Sequence, residues 1–262
     1  MAFGQSSSAA GARPIEGAVA TMGVSDRVAF LRKTYAHLGV ALIAFAAITG
    51  GMMRYTTLTS LKFSSWAWNG PWNWLMVLGL FMLVGYVAER LARSNTSRGL
   101  QYLGLGIGVA SYAVLFQPML WILILKFGNP EMIQLNGEGM LAGKAASILM
   151  EAIVITLAIF IGLTLTVFLT KKDFSFMRGA LAIATFAALG VILASAIFGF
   201  SLGAVFSGAM ILLMAGYVLY QTSMVMSYFP PSGYVAASLM LFSTIATLFW
   251  YVLRILMALN RR

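Results

Sequence analysis

Cysteine is absent from the 262 residues, and histidine occurs once, at His37. The first absence excludes disulfides, thiolate catalysis and cysteine-based metal sites. The second leaves no set of imidazoles for a zinc centre. No P-loop, H-E-x-x-H or dinucleotide fingerprint occurs. Neither an enzyme nor a cofactor is expected. Charge is scarce too: Asp, Glu, Lys and Arg make up 9% of the chain, against about 25% in soluble domains. Acids are the scarcest, seven against 17 Lys and Arg, for a net charge of +10.

Hydrocarbon fills the chain instead, 61% of it hydrophobic, with a mean hydropathy of +0.90. Seven apolar segments run approximately over residues 35–53, 72–89, 99–126, 146–170, 179–200, 203–226 and 234–258. Each can cross about 30 Å of hydrocarbon as a helix. Barrel strands would be about ten residues of alternating character. The pattern therefore predicts an all-α polytopic membrane protein with seven transmembrane helices. Pro118 should kink or break the third span, and Gly104, Gly106 and Gly108 should allow close helix contact. Trp66, Trp68, Trp72 and Trp74 read as an interfacial belt.

Residues 1–30, rich in Ser, Gly and Ala, hold no apolar core of signal-peptide type. They are expected to be a disordered tail ahead of a membrane domain over 31–262, with Asp26–Lys33 as a short amphipathic lead-in. Residues 127–145 read as a surface loop, and Phe229–Gly233 as a turn. The basic residues sit at span ends, where they meet lipid headgroups, so no nucleic-acid partner is expected. Ten of the 17 lie on the N-terminal side of the spans, which favours a cytoplasmic N-terminus. The Arg261-Arg262 pair pulls mildly against the outside C-terminus that seven crossings require.

One acid lies within a span rather than at its end: Glu151, at the head of the run 151–170. A carboxylate beside hydrocarbon is costly unless protonated, paired or wet, and so is a candidate site. It precedes Lys171 by about 30 Å of helix, which places it near the outer interface. Arg254 is at similar depth in the last span, and the two are expected to pair. His37 is read as a packing residue rather than a pH sensor.

The connection Leu169-Thr170-Lys171-Lys172-Asp173-Phe174-Ser175-Phe176 is specific. It resembles the T-K-[KR]-D-[LF]-S-F loop of the Bax inhibitor-1 family, which includes the bacterial YccA-type proteins. The stretches Leu31-Arg32-Lys33-Thr34-Tyr35, Leu115-Phe116-Gln117-Pro118, Leu219-Tyr220-Gln221-Thr222 and Leu248–Arg254 also resemble family motifs, in order, so that the likeness covers residues 28–258. Met150-Glu151-Ala152 matches a position where some bacterial members carry an acid.

The resemblance implies a bundle whose last helix is packed centrally, a bacterial inner-membrane location, and a pH-sensitive passive calcium leak. In calcium-leaking members two aspartates in the sixth and seventh helices share a hydrogen bond, and an Arg near the end of the second helix helps hold the closed state. Here Gln221 and Thr244 stand at the aspartate positions, while Arg90 and Arg93 stand near the latch position. Neither Gln nor Thr titrates, and the pair offers a divalent cation no charge. The YccA-like branch, which also lacks the full pair, implies instead a binding modulator of a membrane-anchored AAA protease of the FtsH type. A structural subunit of a larger membrane complex is a third reading. The site candidates are thus Gln221, Thr244, Glu151 and Arg254 for an ion path or sensor, Arg90 and Arg93 as latch, and the motif residues Lys171, Lys172, Asp173 and Ser175.

Overall fold

A computed structural model describes residues 23–129, 131 and 139–260. The chain runs α1 (Val24–Tyr55), α2 (Thr57–Trp68), α3 (Pro71–Ala92), α4 (Arg98–Phe127), α5 (Lys144–Thr170), α6 (Arg178–Phe198), α7 (Ala204–Ser227) and α8 (Tyr234–Leu259). A single 3-10 turn, Ser175–Met177, leads into α6. All but α2 are long and apolar enough to cross a membrane, which makes the seven expected spans. Helix is the one regular structure that satisfies its own backbone hydrogen bonds in hydrocarbon, short of a closed barrel.

α1 begins at Val24, so residues 24–30 are helical and not part of a disordered tail. Asp26 lies in the first turn, where an acid complements the helix dipole, and Phe30 is 2% exposed and anchors that end in the core. The remainder of the expected tail, residues 1–22, lies outside the described residues, as do Arg261 and Arg262.

α2 was not expected from hydropathy. Its buried residues are Ser60, Ser64 and Ala67, small side chains that let the helix lie close against α4. The contact is polar. Ser60 Oγ donates to Gln117 Oε1 at 2.6 Å, Trp121 Nε1 donates to Ser60 Oγ at 2.8 Å, and Gln117 Nε2 donates to the Ala113 carbonyl at 3.0 Å. Gln117 precedes Pro118, whose ring removes one backbone N–H from the ladder. α4 nonetheless continues unbroken through Pro118 to Phe127.

α8 is central, as the family pattern implies. It packs against α1, α3, α4, α5 and α7, and 56% of its most apolar stretch is buried. α4 shares the centre at 67%, whereas α6 is buried over only 6% and shows Ile183, Phe186 and Ile197 to lipid. Gly104 and Gly108 admit this packing. A Cβ on Gly104 would meet the Ala88 carbonyl at 2.5 Å, and one on Gly108 would meet Leu239 Cδ1 at 2.5 Å. Gly106 lies on the other face of α4 and touches nothing, so only two of the three expected glycines serve close contact.

Trp66, Trp68 and Trp72 are exposed, whereas Trp74 turns inward to stack on Trp250 with ring centroids 5.9 Å apart. The segment Gly199-Phe200-Ser201-Leu202-Gly203 has the spacing of a nucleophile elbow, but it joins two helices. The strand that would raise such a serine above a sheet is missing.

Candidate functional site

Gln221, Thr222 and Ser223 are consecutive on α7 and all buried. Successive residues on a helix point about 100° apart, so the three address different neighbours. Thr244 Oγ1 of α8 donates to Gln221 Oε1 at 2.7 Å, with both side chains buried. The two residues at the family's acid positions therefore meet, as a neutral pair. Ser223 Oγ donates to Asp173 Oδ1 at 3.2 Å and accepts from the Phe174 N–H at 3.1 Å. Thr222 faces α1 and α5. There its hydroxyl and that of Thr164 lie within loose hydrogen-bonding reach of Tyr35 Oη, but no contact among the three has full hydrogen-bond geometry, and all three oxygens are buried.

A buried hydroxyl without a partner costs about 1–3 kcal/mol, and native interiors hold few such groups. Here three converge from three helices. Thr164 is six residues from the end of α5 and Thr222 five from the end of α7, so the cluster lies about 8–9 Å inside that end of the bundle. Tyr35, Thr164 and Thr222 were not singled out from the sequence, although Tyr35 and Thr222 fall within two of the family-like stretches. A hydroxyl inside an apolar span, near its end, was the available signal.

The loop Lys171–Phe174 is built around Asp173. Lys171 takes a left-handed conformation (φ 52°) that ends α5. Asp173 Oδ1 accepts from the Ser175 N–H at 2.8 Å, and Tyr228 Oη donates to Oδ2 at 3.3 Å. Partial burial pushes this carboxyl up, but the hydrogen bonds from Ser175, Ser223 and Tyr228 outweigh it and hold it below the usual carboxylate range. The motif acid thus ties the loop to the end of α7. Lys171 and Lys172 are exposed.

Glu151 and Arg254 do not pair. Lys144 Nζ donates to the Asn260 carbonyl at 3.0 Å, so the start of α5 and the end of α8 share one level. Measured from there, both charges lie about 10 Å along their helices, and the depth expectation holds. Rotation separates them. Ala145, Ile148, Ala152 and Thr156 form the buried stripe of α5, while Glu151 falls out of phase with it and is exposed. Arg254 donates instead to the Leu202 carbonyl at 2.6 Å, in the turn before α7. Among the described residues the ion pair is Arg93 with Glu89, at 2.8 Å.

The latch candidates are also engaged elsewhere. Arg93 Nε donates to Glu89 Oε1 at 2.9 Å, and its guanidinium stands over the Phe229 ring. Arg90 Nε donates to Tyr86 Oη at 2.9 Å. No contact joins either to Gln221 among the described residues. His37 packs against Tyr102 and Tyr234, with Nδ1 at 2.7 Å from the Lys33 carbonyl and Nε2 at 3.1 Å from Tyr102 Oη.

Fold and site together define a class: a polytopic all-α membrane protein with a neutral polar seam between its last two helices. Comparison with known proteins narrows the class. The family model described as inhibitor of apoptosis-promoting Bax1 matches residues 27–262, and the chain belongs to that Bax inhibitor-1 family. It is 29% identical over 243 residues to Bax inhibitor 1 of Schizosaccharomyces pombe, covering 91% of this chain and 79% of that protein. It is 30% identical to the Golgi anti-apoptotic protein of Vaccinia virus (strain Lister) and 29% identical to protein lifeguard 4 of Mus musculus. Those two matches cover 44% of this chain and 49% of each relative. No solved structure matches the chain.

Proposed function

We propose that this protein is a passive cation leak, calcium by analogy with its family, in a bacterial inner membrane, with its N-terminus cytoplasmic. The observation that carries this reading is the convergence of Tyr35, Thr164 and Thr222, whose buried hydroxyls lack full hydrogen-bond geometry, with Thr222 next in the chain to Gln221 of the Gln221–Thr244 hydrogen bond. Hydroxyl and amide oxygens replace part of an ion's hydration shell, and a polar path through a bundle is costly unless something uses it. The Gln221–Thr244 bond closes the path. With neither group titratable, opening at this pair does not depend on pH. A neutral seam also binds a divalent ion weakly, so the leak is slow and poorly selective.

The test is calcium flux into liposomes holding the full chain. Wild type should leak at a rate that is flat from about pH 5 to 8, the range in which a shared carboxylate pair or a histidine would register. Gln221→Asp with Thr244→Asp should make the rate pH-dependent. No flux from wild type at any pH would reject the leak. The neutrality of the seam favours a second reading, a YccA-like binding modulator of a membrane-anchored AAA protease. Co-purification with such a protease, without flux, would establish it in place of the first.

A further inference from the structure

At the Lys171–Lys172 end of the bundle a cavity of about 630 Å³ opens between α3, α4, the start of α6 and the α7–α8 turn. Arg93 and Arg178 both line it. Arg93 spends part of its guanidinium on Glu89, and a guanidinium carries five N–H donors, so further ones remain. Among the described residues the Arg178 guanidinium has no hydrogen bond or ion pair, and the residue is exposed.

The third positive element is backbone. Ala236 in the first turn of α8, and Gly233 just before it, whose N–H already donates to the Pro230 carbonyl, line the same cavity. α8 is 26 residues long and no side chain caps it. Its first amide N–H groups lack helical acceptors, and its dipole favours an anion there. The acids nearby are already committed. Glu89 is on Arg93, and Asp173 is held by Ser175, Ser223 and Tyr228.

The mouth lies at the lipid boundary. Arg178 is the first residue of α6, the least buried span, and Phe176 beside it is 78% exposed. Ala92, Met224 and Phe229 supply apolar walls. We propose that this cavity binds the phosphate group of an anionic phospholipid, with Arg93, Arg178 and the N-terminus of α8 around the phosphate and the apolar walls against the glycerol end of the lipid. Guanidinium forks and helix N-termini are the two protein groups best matched to phosphate oxygens.

The full-length protein in mixed micelles of phosphatidylglycerol and phosphatidylcholine, examined by native mass spectrometry, provides the test. Wild type should retain phosphatidylglycerol over phosphatidylcholine. Arg178→Gln should lower that retention about tenfold, the loss of one charge-assisted hydrogen bond. Arg178→Lys should recover part of it. Lys62→Gln, an equal loss of charge at an exposed position on α2, should leave it unchanged. Equal retention by wild type and Arg178→Gln, in a variant whose circular dichroism matches wild type, overturns the site. A second arm adds inorganic phosphate to lipid-free micelles. Stabilisation by phosphate that is lost in Arg178→Gln, without a preference for phosphatidylglycerol, would overturn the lipid assignment in favour of a soluble anion.

Discussion

Two buried polar clusters in this bundle are opposite in character. Between α2 and α4, Ser60, Gln117 and Trp121 form a closed network in which each group has a partner at 2.6–3.0 Å. Between α1, α5 and α7, Tyr35, Thr164 and Thr222 bring hydroxyls together and leave them unpaired. A satisfied network fixes one arrangement of helices and resists change. An unsatisfied one holds free energy in reserve for a ligand, a water or an ion. The first joins α2 to α4, and the second includes Thr222, next to Gln221 on α7. The first is therefore structural, and the second is the one the proposed leak would use.

The largest effect is expected at the closed network. Gln117→Leu leaves the buried Ser60 hydroxyl without its acceptor, and should cost about 2 kcal/mol of stability, read as a lower melting temperature in detergent. A change near zero would erase the contrast with the open cluster. Thr244→Val removes one buried bond between α7 and α8 and should cost about 0.6 kcal/mol, the mean for such contacts in membranes. It should also raise the proposed leak, whose closed state that bond is proposed to hold.

Asp173 sharpens the comparison from outside the spans. Its pKa is lower folded than unfolded, because its hydrogen bonds outweigh its partial burial. The unfolded chain therefore binds the proton more readily. The stability Asp173 contributes is present above the ordinary carboxylate range and is lost as pH falls through the depressed folded value. Acid melting curves should show that loss in wild type and not in Asp173→Asn. The smallest change in stability is expected at the open cluster. Tyr35→Phe and Thr222→Val remove hydroxyls that have no partner, and should leave the melting temperature unchanged or slightly raised while lowering the leak. A clear destabilisation would show that those hydroxyls are satisfied in the membrane and would merge the two clusters into one kind.

Axial position was legible in the sequence, because each helical residue adds about 1.5 Å wherever it points. The seven spans follow from length and hydropathy, and the levels of Glu151 and Arg254 agree once the end of α8 is set beside the start of α5. Gln221 and Thr244 could be matched because they inherit positions from a family pattern. Azimuth was not legible in the same way. Glu151 misses Arg254 because it stands off the stripe of Ala145, Ile148 and Ala152. α2 escaped notice because its contact with α4 is made by serines, which hydropathy scores as loop.

The sequence by itself thus determined the class of protein, its span count, the motif loop and the neutrality of the seam, since these depend on composition and order along one dimension. Tertiary structure alone decided that α4 shares the centre with α8, that Arg254 serves the Leu202 carbonyl, and that three hydroxyls from α1, α5 and α7 face one another. Those outcomes depend on which face each helix turns inward. In hydrocarbon that choice rests on close packing of small residues such as Gly104 and on a few polar contacts, not on hydropathy, because lipid is as apolar as the side chains it meets.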